Sequence, residues 1–119
     1  MKDYKNLQVW EKSHQFILDV YKATLNFPKN ELYGLTSQVR RAAVSIPTNL
    51  AEGCGRRTDG ELAQFAQIAA GSASEMDYLL FLCHDLKYIE DDNYTALSSQ
   101  LVEIRKMLTS LLKTLRANL

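Results

Sequence analysis

Only two prolines, five glycines, two cysteines, two histidines and one tryptophan occur in the 119 residues. Each scarcity excludes something. Two cysteines 29 positions apart, Cys54 and Cys83, build neither a disulfide framework nor a paired-thiolate zinc site. They read as small, buried thiols in a reducing compartment. Sparse proline and glycine leave few places where a helix must stop. Net charge is absent too: 14 basic and 14 acidic side chains give zero. Bulk electrostatics therefore favour no polyanion or polycation, and only the distribution of charge can speak. No apolar run approaches the roughly 20 residues needed to cross a bilayer, so no membrane partner is expected. The opening Met1-Lys2-Asp3-Tyr4-Lys5 lacks the apolar segment of a secretory signal, and the expected location is cytoplasmic.

What is present is helical periodicity. The composition, 46% hydrophobic and 24% charged, suits a single globular domain over residues 1–119. Four segments carry apolar residues at three- and four-residue steps, over about 7–26, 35–53, 59–88 and 92–117. In the first the stripe is Leu7, Trp10, His14, Ile17, Tyr21 and Leu25, broadened by Val9, Phe16, Val20 and Phe27 into a wide apolar face and stopped by Pro28. The second carries Leu35, Val39, Ala42, Ala43, Ile46 and Leu50. Pro47 inside it predicts a kink, and Gly53-Cys54-Gly55 closes it. The third opens on a capping box, Thr58-Asp59-Gly60-Glu61, and runs through a stretch of small residues from Ala66 to Ser74 that lets helix axes approach closely. The fourth has a seam at Tyr94, Leu97, Leu101, Ile104, Leu108, Leu111 and Leu115, with Val102, Met107, Leu112 and Leu119 off it. No segment alternates with period two. The fold class is all-α, an antiparallel up-down four-helix bundle. The off-seam apolar residues either form a second packing surface or flank the core.

Enzyme chemistry finds little support. A di-iron bundle needs Glu-x-x-His on each of two helices, and His84 has Phe81 at the glutamate position. Ser110-Leu111-Leu112-Lys113 matches an acyl-enzyme spacing without its companion motifs. Gly53-Cys54-Gly55 follows no strand, so it is no dinucleotide loop. Cys54 beside Arg56 and Arg57 could be acidified, but no histidine lies near it in sequence. The chain is expected to be no enzyme and to use no cofactor or metal.

The charges are segregated. From Arg40 to Arg57 there are four arginines (Arg40, Arg41, Arg56, Arg57) and one glutamate, for +3. From Glu75 to Asp92 there are six acids and one lysine, for −5. The four arginines are a candidate band for phosphate contacts, or a set of subunit salt bridges. Arg41, Ser45, Thr48 or Asn49, and Glu52 recur at helical spacing as a polar stripe, either an internal network in which Glu52 accepts from Arg41 or a neighbouring helix, or a surface facing a partner.

The blocks Tyr33-Gly34-Leu35-Thr36-Ser37-Gln38, Arg40-Arg41-Ala42-Ala43-Val44-Ser45-Ile46-Pro47 and Asn49-Leu50-Ala51-Glu52-Gly53, with Leu7-Gln8-Val9-Trp10 upstream, resemble the four-helix bundle proteins encoded in intervening sequences of bacterial 23S rRNA genes. The resemblance implies a homopentamer closing into a ring or barrel, and no catalytic residue. A related accessory protein of diversity-generating retroelements binds nucleic acid through a basic surface. The function expected is therefore a non-catalytic oligomeric binding protein for structured RNA or other nucleic acid, the alternative being a protein–protein scaffold.

Overall fold

The computed structural model describes residues 2–119. A short 3-10 turn at Tyr4–Asn6 leads into α1, Gln8–Thr24. A second 3-10 turn at Lys29–Glu31 precedes α2, Leu35–Cys54; then come α3, Asp59–Asp85, and α4, Asp91–Ala117. Each helix packs on two others, in the order α1, α2, α3, α4 and back to α1. Thr24 meets Arg40, Ser45 meets Ser72, Asp77 meets Arg105 and Gln67 meets Arg116. Lys12 meets Glu103 and Asp19 meets Gln100. The body measures 45 × 24 × 19 Å.

The core departs from the sequence pattern most in α1. Its buried residues are Val9, Ser13, Phe16, Val20 and Thr24, whereas His14, Tyr21 and Leu25 are exposed and Trp10 and Ile17 half-buried. The inward stripe is thus the Val9, Phe16 and Val20 flank of the wide apolar face, about a quarter-turn from the line of Trp10, His14, Ile17 and Tyr21. Ser13 and Thr24 conceal it. Their hydroxyls donate to the carbonyls of Val9 (2.7 Å) and Val20 (2.9 Å) one turn back, so both bury as satisfied groups. In α4, Leu112 is buried while Leu111 is half-buried, one step off the predicted seam; Val102 and Leu119 remain exposed.

The α2–α3 pair is the closest. α2 runs unbroken through the buried Pro47. Near its end, a Cβ on Gly53 would lie 2.8 Å from both Leu62 Cδ1 and Phe65 Cβ. α3 contributes Ala66, Ala69 and Ala73, all fully buried, together with Met76 and Leu80. Each large aliphatic side chain so buried contributes about 1.5–3 kcal/mol. Thr58 caps α3 by accepting from the Glu61 amide (3.1 Å), and its hydroxyl donates to the Glu61 carboxylate (3.3 Å). Gly71, by contrast, sits exposed in mid-helix with nothing within 4 Å of a Cβ placed there. Relative to alanine it costs the isolated chain about 1 kcal/mol, and no contact within the chain explains it.

α3 ends at Asp85, short of Tyr88, because Lys87 turns left-handed with φ 64°. The Tyr88 amide bonds back to Cys83 O and the Lys87 amide to His84 O, both at 2.9 Å, the pattern of a Schellman end. The connections at this end are tied together. Phe27 packs on Tyr88, whose hydroxyl donates to Glu31 Oε2 at 3.0 Å, while Glu31 Oε1 accepts from the first amide of α2. At the other end the Lys2 amide donates to Cys54 O, 2.8 Å away.

Lys87→Gly should raise stability by about 0.5–1 kcal/mol, since glycine adopts this conformation without strain. Gly53→Ala should lower it by about 1–3 kcal/mol by prising α2 from α3. Thermal unfolding of the two variants checks both signs.

Candidate binding surfaces

The arginines do not share a face. Arg40 sits on the flank of α2 that meets α1. Its Nε donates to Thr24 Oγ1 at 2.9 Å and its guanidinium lies 4.6 Å from the Tyr21 ring centre. It thus joins two helices. Arg41, one residue on, turns about 100° away and lines a groove of about 540 Å³ between α2 and α3, with Glu75 and Tyr33. Arg56 and Arg57 follow α2 at its far end, some 22 Å along the axis at 1.5 Å per residue. Arg56 pairs with Glu52 (3.5 Å) and lies over the Phe65 ring at 5.0 Å. Arg57 and Lys2 flank a small recess at the α2–α3 bend, where Lys2 also reaches Asp59 at 3.7 Å. One band is thereby replaced by two separate basic spots.

The polar stripe divides as well. Ser45 and Ser72 share a hydroxyl hydrogen bond of 2.8 Å between α2 and α3. Asn49 Nδ2 donates to both the carbonyl and the hydroxyl of Ser45, at 2.8 and 3.0 Å. This half is an internal network. Glu52 serves Arg56 instead, because Arg41 lies eleven residues earlier, roughly 16 Å along the helix and beyond side-chain reach.

The candidate nucleophile is of the wrong kind. Cys54 is buried, and burial pushes its thiol up from its ordinary value, with Lys2 opposing only in part. Arg56 lies against Glu52 and Phe65 instead, and neither arginine offsets the burial. The acidified thiol anticipated from sequence is corrected by this geometry. Burial likewise pushes Cys83 to about 11, with Glu31 adding to it. Tyr88 is raised chiefly by its hydrogen bond to Glu31, which would lose its proton donor on ionisation. Glu11 stands three residues before His14, a single Glu-x-x-His spacing, but His14 is exposed and stacks on Trp10 (5.2 Å, 7°). Among the described residues no group of three or more His, Cys, Asp or Glu could hold a metal ion. His84 contacts Asp91 at 2.7 Å and stacks on Tyr94 at 4.2 Å, bridging the α3–α4 connection.

Two exposed apolar surfaces complete the inventory. One is the outer flank of α1, where Leu18, Tyr21 and Leu25 (73% exposed) stand beside half-buried Trp10 and Ile17. The other is on α3, where Ile68, Tyr78 and Phe81 face outward. Sequence periodicity missed the second. The signal was there, in apolar residues that fall outside the stripe of Leu62, Ala69, Ala73, Met76 and Leu80.

Both thiols should react slowly with iodoacetamide near neutral pH and quickly once the chain is unfolded; fast labelling of Cys54 in the folded protein would contradict the burial described. Because folding raises both thiol values, their stabilising contribution is full below the ordinary thiol range and declines as pH rises through the shifted values, for Cys83 toward about 11. Alkaline denaturation of Cys83→Ala against the parent checks the sign: the variant's stability should fall less over that window.

Among curated proteins, none matches this chain. A solved structure does: a protein of unknown function from the S23 ribosomal protein family of Bacteroides thetaiotaomicron VPI-5482, 27% identical, with a TM-score of 0.79 over 88% of this chain and 98% of that one. No helix of the described residues is long and apolar enough to cross a membrane. The model of the 23S rRNA-intervening sequence protein family matches residues 5–110, and with the four helices in place the chain belongs to that family.

Proposed function

We propose that this protein is a non-catalytic, oligomeric binding protein, an antiparallel up-down bundle whose copies close into a ring. The observation that carries the reading is the uncovered outer flank of α1. A chain that buries Ser13 and Thr24 while leaving Leu18, Tyr21 and Leu25 outside has a second apolar stripe to cover. A heterologous contact repeated around an axis whose rotation closes covers such a stripe in every copy. The family resemblance supplies the ring size, a homopentamer. Two unpaired, buried thiols fit a reducing, cytoplasmic setting. Both thiols are held protonated, and the histidines lie apart on α1 and α3, which favours binding over catalysis. Light scattering should give a mass near five times the 13.5 kDa chain. Leu18→Glu with Leu25→Glu should reduce that mass without loss of helicity. A parent protein that is monomeric at high concentration would overturn the proposal.

A second reading, binding of structured RNA or other nucleic acid, rests on the basic end of the bundle, where Lys2, Arg56 and Arg57 converge near the α3 start. Phosphate contacts there would be few, so affinity should fall with a shallow salt slope. Arg56→Glu with Arg57→Glu should weaken binding to a structured RNA and to a duplex DNA alike, measured at two salt concentrations. Failure to bind either at low salt would leave the protein-scaffold alternative.

A further inference from the structure

The α2–α3 pair is tight where Gly53 meets Leu62 and Phe65, and it leaves a groove elsewhere along its length. That groove, of about 540 Å³, has the size of a small-molecule site. Its lining is largely polar. The bonded hydroxyls of Ser45 and Ser72 join the two helices across it. One turn from Ser45, Arg41 lines the α2 side; one turn from Ser72, Glu75 lines the α3 side. Both side chains are exposed, and among the described residues neither makes an ion pair. Ser37 and Gln38 add a hydroxyl and an amide, each able to donate and to accept. Tyr33 also borders the groove, 95% exposed, with no part of the chain covering its ring.

Opposite charges on the two sides narrow the ligand. A polyanion that met Arg41 would face Glu75, and a simple cation that met Glu75 would face Arg41. A solute that carries both signs on one small frame satisfies both. An exposed Arg–Glu pair is weak in water, so such a solute displaces any contact between the two at little cost. The forked guanidinium suits a carboxylate, and the Glu75 carboxylate suits an ammonium group; both contacts are charge-assisted hydrogen bonds. The free face of the Tyr33 ring suits a second ring or an aliphatic side chain.

We propose that the α2–α3 groove binds a zwitterion of the free α-amino acid class. Its carboxylate sits on Arg41, its ammonium group on Glu75 and its side chain against Tyr33. The groove is separate from the α1 flank and from the recess of Lys2 and Arg57, so this site depends on neither reading given above.

The test uses the full chain and ligand-observed NMR. The probes are L-phenylalanine, glycine, and two relatives that each lack one charge, N-acetyl-L-phenylalanine and L-phenylalanine amide. L-phenylalanine should bind at least tenfold more tightly than either single-charge relative. Arg41→Ala and Glu75→Ala should each weaken it about tenfold, whereas Arg56→Ala should not. Tyr33→Ser should bring L-phenylalanine down to the affinity of glycine and leave glycine unchanged. Thermal unfolding and light scattering should find the groove variants folded and at the parent's mass. Absence of binding by both L-phenylalanine and glycine overturns the proposal. So does equal binding of L-phenylalanine and its two relatives, or unchanged affinity in either Arg41→Ala or Glu75→Ala. A fall in oligomer mass in either of those variants also overturns it, since the groove would then be a contact between copies. The α1 flank variants read the assembly separately, so the two proposals fail independently.

Discussion

The close approach of α2 to α3 is the constraint on which the other packing depends. Gly53 rests against Leu62 and Phe65 with no space for a side chain, and the fully buried alanines of α3 keep its axis close to the core. Small residues contribute little area each, so the pair gains from fit and from the Ser45–Ser72 bridge, with Asn49 completing the acceptors. The larger side chains, Phe16, Ile46, Leu50, Met76 and Leu101, then fill the space between this pair and helices α1 and α4. A loosened α2–α3 contact would leave voids throughout that layer.

The same economy shapes the surface. Arginines that look like one functional group in sequence are divided among tasks by helical geometry. Arg40 ties α1 to α2 through Thr24 and Tyr21, Arg56 closes a turn with Glu52, and Arg41 and Arg57 make no ion pair among the described residues. The acids of α3 are divided likewise, Asp77 holding α4 while Glu75 lines the α2–α3 groove with Arg41. Charges of both signs are therefore consumed largely by local pairing, and zero net charge by itself neither favours nor excludes a charged partner.

Much of the architecture was legible in the sequence because three- and four-residue apolar recurrence, the Thr58 cap and the Pro28 stop are local signals, needing no knowledge of the rest of the fold. The family blocks from Tyr33 to Gly53 were equally legible. The candidate site was not. Whether Arg40 is free depends on Thr24, sixteen residues away, and whether Cys54 is acidic depends on burial that its glycine neighbours do not reveal.

By itself, then, the sequence determined four helices, their approximate limits, the close-packing small residues and the segregation of charge, since each is set by contacts within a few turns. Tertiary structure alone decided which face of α1 turns inward, because the Ser13 and Thr24 hydroxyls satisfy themselves on their own backbone and bury in place of more apolar residues. It also decided which charges remain available. That depends on pairing across helices, and helices that are distant in sequence meet only when the bundle closes.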